Sequence, residues 1–169
     1  INDPRMLSLI ERFLKAGVMI NGDWWKTNKG VPQGSVLSPL LANVYLHYVL
    51  DEWFERDVKP RLQGEAYIIR YADDFVLGFQ HRLEAERCLQ ELKERVGKFG
   101  LELHPEKTRL IEFGRFAAER RSEVGLGKPE TFSFLGFTHY CGKTRKGAYT
   151  IKRQSMAKRV RAKLMEIKA

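Results

Sequence analysis

Asp73 and Asp74 stand side by side between Ile68-Ile69-Arg70 and Phe75-Val76-Leu77. The two flanks are built of strand-forming apolar residues and predict a β-hairpin with the carboxylates at its tip. Adjacent carboxylates repel each other and lose hydration when partly enclosed, and a divalent cation relieves both costs. An oxygen-only pair suits a hard ion, Mg²⁺ first, with Mn²⁺ as a substitute. The same dipeptide also makes a good turn with no ion at all, so the neighbouring residues must decide between the two readings.

A second run with chemical content lies upstream, Gly30-Val31-Pro32-Gln33-Gly34-Ser35-Val36-Leu37-Ser38-Pro39-Leu40-Leu41-Ala42-Asn43. Pro32 fixes the backbone, and Gly34, without a Cβ, lets a base or sugar approach closely. Gln33 offers both a donor and an acceptor. A helix starting near Ser35 would aim free amides at the loop, a ready place for a phosphate. A plain helix start with a Pro-Gly lead-in accounts for Pro32, Gly34 and Ser35 but not for the whole run.

The elements that must position these residues follow from periodicity. Asn2 or Asp3 can cap a helix with Pro4 in its first turn, and Met6, Leu9, Ile10, Phe13 and Leu14 keep helical spacing to Gly17. Residues 18–36 read as a hairpin or loop edged by Trp24 and Trp25. Leu40, Leu41, Val44, Tyr45, Tyr48 and Val49 mark a long helix from Leu37 to about Phe54. After the hairpin at 66–79 comes a helix with Leu83, Leu89, Leu92, Val96 and Phe99 inward, ending at Gly100. Leu101–Leu103 and Thr108–Phe113 look like strands, and 114–130 like a charged mobile loop. Thr131–Thr138 and Ala148–Ile151 form a further strand pair, and a basic helix starts near Gln154. Helices crossing back between hairpins describe an α+β sheet domain with the carboxylate tip at one end of the sheet.

Charge is segregated along the chain. Residues 1–142 carry 20 basic and 20 acidic residues, whereas 143–169 carry 10 basic residues against Glu166 alone, so the whole net charge of +9 lies in the last stretch. Lys143, Arg145, Lys146, Lys152, Arg153, Lys158 and Arg159 there make an electrostatic footprint for a phosphate backbone, or a solvated basic face. No apolar run reaches membrane-spanning length. Cys88 and Cys141 have neither metal-site nor disulfide spacing, which predicts a reduced, cytoplasmic setting. His47, His81, His104 and His139 share no ligand spacing and read as surface or packing residues, as do Trp24, Trp25 and Trp53. Ile1 in place of an initiator Met, and a basic amphipathic pattern still running at Ala169, predict a piece of a longer protein.

Taken in order, the run Gly30–Asn43, Tyr71-Ala72-Asp73-Asp74, Leu101–Thr108 with Lys107-Thr108, and Phe134-Leu135-Gly136-Phe137 resemble the motifs of reverse transcriptases. Ser38–Asn43 and the Ala of the Tyr-Ala-Asp-Asp box are most similar to the group II intron-encoded branch, and the first helix resembles the segment between the first two palm motifs there. The resemblance spans nearly the whole chain. It implies a polymerase palm over 1–152, with helices on one face of its sheet, and the start of a helical thumb over 153–169. Asp73, with Asp74 as its partner, would ligate metal. Pro32, Gln33 and Gly34 would lie against nucleotide and template, and Lys107 near the nucleotide phosphates. Tyr71 and Ala72 would stand beside the primer end, with Phe134, Leu135 and Gly136 supporting the primer strand.

Two Mg²⁺ ions about 4 Å apart would then serve nucleotidyl transfer. The implied partners are an RNA template (intron RNA), a DNA or RNA primer and deoxynucleoside triphosphates. In the family a further aspartate lies upstream of the first helix, and neither Asp3 nor Asp23 has its strand context, so these 169 residues alone are expected to be inactive. Two other readings compete. A maturase-type protein would bind intron RNA with catalysis secondary, although a binder has no need of two repelling aspartates. A palm-like nucleotide cyclase shares the acidic tip, but its Gly-Gly-Asp/Glu-Glu-Phe signature is absent here.

Overall fold

The computed structural model describes residues 2–20, 23–25 and 38–168. Asp3 caps α1 (Pro4–Lys15), its Oδ1 accepting from the Arg5 and Met6 amides at 2.8 and 3.5 Å. The helix stops ahead of Gly17, whose φ of 73° suits a residue without a Cβ. Its apolar stripe exists, but Met6, Leu9, Phe13 and Leu14 remain exposed among the described residues. Strands β1 (Val18–Ile20) and β2 (Asp23–Trp25) follow as a short antiparallel pair.

The helix expected from Leu37 to about Phe54 is present as α2 (Ser38–Leu46), and it runs further than expected. It continues in wider π-helical turns, His47–Glu52 and Phe54–Val58, and closes in a 3₁₀ turn, Lys59–Arg61. Val58 extends the apolar face and is buried, and Pro60, which has no amide to donate, ends the helix. Arg95 serves the wide-wound stretch by donating to the carbonyls of Val49 (3.1 Å) and Tyr48 (3.2 Å).

Strands β3 (Ala66–Tyr71) and β4 (Asp74–Phe79) pair antiparallel from Ala66↔Phe79 to Tyr71↔Asp74, in the place read from the sequence. Period-two alternation puts Ala66, Ile68 and Arg70 on the inner face and the exposed Tyr67, Ile69 and Tyr71 on the outer. Helix α3 (Arg82–Lys98) then supplies Cys88, Leu92 and Val96 to a core shared with Val49, Leu50, Trp53, Phe54, Val58 and Ala66. Trp53 is thus a packing residue, as expected. Phe54 meets Phe79 edge-on at 6.1 Å. At the end of α3, Gly100 (φ 68°) and the bond from the Leu101 amide to the Val96 carbonyl (3.0 Å) turn the chain back toward the core.

Two expectations fail in the next stretch. Residues 101–113 pair with no strand among the described residues. Leu101 and Leu103 reach the core and Phe113 packs edge-on against Phe132 at 5.0 Å, so the alternation is satisfied by side chains rather than by a ladder. A turn closed by the Thr108 amide on the His104 carbonyl (2.9 Å) separates the two halves. Residues 114–130 are not wholly a loop: α4 (Ala117–Glu123) buries Ala117 completely. Arg120 and Arg121 pair with Glu112 (2.7 Å) and Glu130 (3.5 Å).

The last sheet orders β5 (Phe132–Phe134), β6 (Phe137–Lys143) and β7 (Tyr149–Ser155) as an antiparallel meander, and α5 (Ala157–Lys168) follows. The fold is α+β, with three small antiparallel sheets among the described residues rather than one continuous sheet. Strands β4 and β5 lie in contact, which brings the last sheet beside the hairpin.

The core assignment has a direct check in urea unfolding. Phe54→Ala is expected to cost about 3–5 kcal/mol, because it empties a fully enclosed aromatic site. Leu83→Ala, at a residue 74% exposed, should stay within about 0.5 kcal/mol.

Candidate functional site

Tyr71 and Asp74 close the β3–β4 ladder, leaving Ala72-Asp73 as a two-residue turn. Ala72 has a φ of 53°, a conformation uncommon for a residue with a Cβ, and it folds the chain so that both acids emerge at the tip. Asp73 and Asp74 are exposed, and among the described residues neither carboxylate takes a hydrogen bond or an ion pair. Tyr71 beside them is 66% exposed. The oxygen-only pair suits a hard divalent cation in chemistry. It is nevertheless short of a full ligand set, since no group of three or more His, Cys, Asp or Glu residues that could hold a metal occurs among the described residues.

Behind the tip lies a cluster not recognised from the sequence. Arg70 donates to both oxygens of Asp51, from Nε at 2.7 Å and from Nη2 at 2.6 Å. Its Nη1 donates to Asn43 Oδ1 at 2.8 Å and to the Ala72 carbonyl at 2.9 Å. The Arg70 side chain is 13% exposed and that of Asp51 25%. The Arg70 bond holds the Asp51 carboxyl below the usual carboxylate range against the opposing effect of burial, with a further bond from His47 on the same side. The sequence did carry a signal: Arg70 shares the core-facing parity of Ala66 and Ile68, and a cation on that face needs a partner.

The other residues singled out from sequence fall in separate places. Pro32, Gln33 and Gly34 lie outside the described residues. Lys107 is exposed in the turn after His104. Phe134 and Phe137 close the β5–β6 hairpin over Leu135 (φ 50°) and Gly136 (φ 82°), consecutive left-handed residues whose twist matches the strands. The start of α5 is fastened to this turn by the Met156 amide on the Gly136 carbonyl (3.1 Å) and by the Arg159 guanidinium, which lies where a Cβ on Gly136 would be.

Lys143 ends β6, and Arg145 and Lys146 occupy the exposed β6–β7 connection. Lys152 and Arg153 sit on opposite faces of β7, with Lys152 lying along Gly142. Among the described residues these cations, Lys158 and Arg159 form no ion pair, whereas Lys163 pairs with Glu166 at 2.8 Å. No helix among the described residues is long and apolar enough to cross a membrane.

The sequence profile of the family described as reverse transcriptase (RNA-dependent DNA polymerase) matches residues 2–139, which hold both the acidic turn and the Phe134–Phe137 hairpin. The chain belongs to that family. Among its relatives is the group II intron-encoded protein LtrA of Lactococcus lactis subsp. cremoris, 41% identical over 91 residues that make up 50% of this chain and 14% of that protein. Protein YkfC of Escherichia coli is 33% identical over 162 residues, 74% of this chain and 42% of its own length. A telomerase reverse transcriptase from Canis lupus familiaris is 32% identical over 91 residues, 54% of this chain and 8% of its own length. The chain therefore spans less than half the length of these relatives. The resemblance to the group II intron-encoded branch is borne out by the first of them. The acidic turn is accordingly described as part of a reverse transcriptase domain, a family that works with divalent metal ions.

Two outcomes test this geometry. Gly136→Ala in the reverse transcriptase chain is expected to cost about 1–2 kcal/mol, since alanine at a positive φ is strained. The part due to overlap with Arg159 should be recovered in the Gly136→Ala/Arg159→Ala double variant, and a thermal-melting cycle separates the two contributions. For Asp51 the folded-state pKa is depressed, so its stabilisation is complete above the unfolded value of about 3.9 and is lost as pH falls through the folded value. Asp51→Asn should therefore lower stability at neutral pH and flatten the acid limb of the stability profile below about pH 4.

Proposed function

We propose that this chain forms the palm of an RNA-directed DNA polymerase of the group II intron-encoded kind, over residues 1–152, with 153–169 opening its thumb. The observation that carries the reading is the pair of unpaired, exposed carboxylates held at a two-residue hairpin turn, inside a domain of this family. Asp73 and Asp74 would hold Mg²⁺, whose chemistry when bound is to stabilise charge on the reacting oxygens of a nucleotidyl transfer. The protein's part is positional. The turn presents both acids outward, and the exposed ring of Tyr71 and the backbone of Ala72 border the space a primer end would take. The hairpin turn at Phe134, Leu135 and Gly136 is braced by α5 and supports the primer strand. Lys107 offers a cation for nucleotide phosphate, and Pro32, Gln33 and Gly34 are assigned to nucleotide and template.

The substrates on this reading are deoxynucleoside triphosphates, an RNA template such as intron RNA, and a DNA or RNA primer. Cys88, buried and with its thiol pushed up to about 11 by burial, is inert in a reducing cytoplasm. A second reading, RNA binding of the maturase type with catalysis secondary, is favoured by the unpaired cations of the β6–β7 connection, β7 and α5.

Primer extension on an RNA template decides between them, using a protein that carries this chain together with the remaining polymerase segments. Extension with Mg²⁺ should fall by more than about 100-fold in Asp73→Ala, beyond the 10–100-fold loss typical of a residue that acts one shell from a metal. Tight RNA binding without extension in either protein would favour the maturase reading. The 169 residues by themselves should extend nothing, because the described residues supply only the two carboxylates at the turn.

A further inference from the structure

We infer that Arg70 is a positioning residue for the acidic turn, setting the peptide that precedes Asp73 from a socket made by Asn43 and Asp51; the inference deepens the reading of Asp73 as a metal ligand. A guanidinium has five N–H donors in a rigid plane, and Arg70 uses four of them on four oxygens of three residues. Two go to the Asp51 carboxylate in the parallel, bidentate geometry that fixes orientation as well as distance. The other two leave Nη1 for Asn43 Oδ1 and the Ala72 carbonyl. Asn43 and Asp51 belong to one continuous helical stretch, α2 and its π-helical extension. Arg70 therefore takes its orientation from that helix and passes it to the turn.

The acceptor on the turn is what gives this contact consequence. The Ala72 carbonyl belongs to the peptide joining Ala72 to Asp73, so a bond to it fixes the plane from which the Asp73 side chain departs. Ala72 also has a positive φ, a conformation that persists when the surroundings over-determine it. Metal-ligating groups must be held to within about 0.5 Å to be productive. A two-residue turn with exposed side chains has no packing of its own to achieve that. The Arg70 bond comes from a side chain 13% exposed, three of whose other four donors are committed to Asp51 and Asn43.

Lysine cannot reproduce the arrangement. It is a point charge on a flexible stem and can meet Asp51 or the Ala72 carbonyl, but it has no second nitrogen to span both. Arg70→Lys keeps the charge opposite Asp51 and so separates positioning from simple charge neutralisation. Asn43→Ala leaves the Arg70–Asp51 pair whole and loosens only the Nη1 end, which keeps the question answerable if Arg70→Lys does not fold.

The test uses the polymerase carrying this chain, with melting temperature monitored throughout. It measures Mn²⁺ affinity from the electron paramagnetic resonance of unbound ion, and single-turnover extension as a function of Mg²⁺ at saturating primer–template. Arg70→Lys is expected to weaken Mn²⁺ binding and to raise the half-saturating Mg²⁺ concentration, each by about 10-fold, and to slow extension by about 10–100-fold. Primer–template affinity should stay within about twofold, since no nucleic-acid contact is assigned to Arg70. Asn43→Ala should move the same quantities in the same direction by a smaller factor.

A folded Arg70→Lys protein with wild-type Mn²⁺ affinity and Mg²⁺ dependence overturns the inference, as does unchanged metal dependence in Asn43→Ala if Arg70→Lys is unfolded. If the wild-type protein extends no primer, the polymerase reading fails. The Mn²⁺ titration, referred to Asp73→Ala, still decides whether Arg70 positions a metal-binding turn.

Discussion

A two-stranded hairpin is marginally stable in water and cannot by itself hold two repelling carboxylates at its tip. The structure around β3 and β4 answers that constraint. The inner face of the hairpin is backed by the helix over 38–58 and by α3, and Val49, Leu50, Phe54, Leu92 and Val96 are among the buried residues that join these elements to Ala66. Backing of one face leaves the other open, so Tyr67, Ile69 and Tyr71 stay exposed along the strand that leads to the acids. The hydrophobic contribution thus lies on the inner face of the hairpin, and the outer face and the acidic turn are left exposed.

Polar contacts carry the same division to the end of the strand. Where the core stops, at the third inward position of β3, the apolar series gives way to Arg70. A buried cation is costly unless it is paired, and truncating one partner of such a pair leaves the other charge uncompensated. Asp51, met side-on by Nε and Nη2 of Arg70, answers the charge, and Nη1 at the far end of the fork reaches the turn at the Ala72 carbonyl. Asp73 and Asp74 receive no cation from the protein in the described structure. A salt bridge to either would lower the cost of holding the acids together and would also compete with a metal for the same oxygens. The chain places its charge compensation one residue behind the turn.

Much of this arrangement was legible in the residues. The hairpin at 66–79, the cap at Asp3, the helix expected from Leu37 and present from Ser38, and the end of α3 at Gly100 all rest on local chemistry, and local chemistry can be read along a chain; the single strand expected over Thr131–Thr138 is instead broken by the left-handed turn at Leu135-Gly136. The strands expected at 101–103 and 108–113 failed because alternation reports which side chains face inward and cannot report whether a backbone partner exists. Helix α4 was missed because its seven residues are mostly charged. What holds it is the burial of Ala117 and ion pairs to Glu112 and Glu130, contacts made outside the helix. The socket of Arg70 was missed for a related reason. Asn43, Asp51 and Arg70 are each unremarkable in sequence, and only packing of the helix against β3 makes them neighbours.

The distribution of ion pairs gives the electrostatic asymmetry of the sequence a structural meaning. In the balanced part of the chain many cations are committed: Arg61 to Glu91, Arg70 to Asp51, Arg109 to Glu130, Arg120 to Glu112. In the final sheet and α5 the described cations other than Lys163 have no carboxylate beside them. Unpaired cations on a surface raise the local potential and attract polyanions in a salt-dependent way, whereas paired ones have little left to offer. The same segment is mechanically tied to the Phe134–Phe137 hairpin through Met156 and Arg159, and β5 in turn contacts β4. A polyanion held by the basic segment would therefore be held at a defined position relative to the hairpin that bears Asp73 and Asp74. A polymerase needs that relation between its duplex and its metal site, and a protein that only bound RNA would have no use for it.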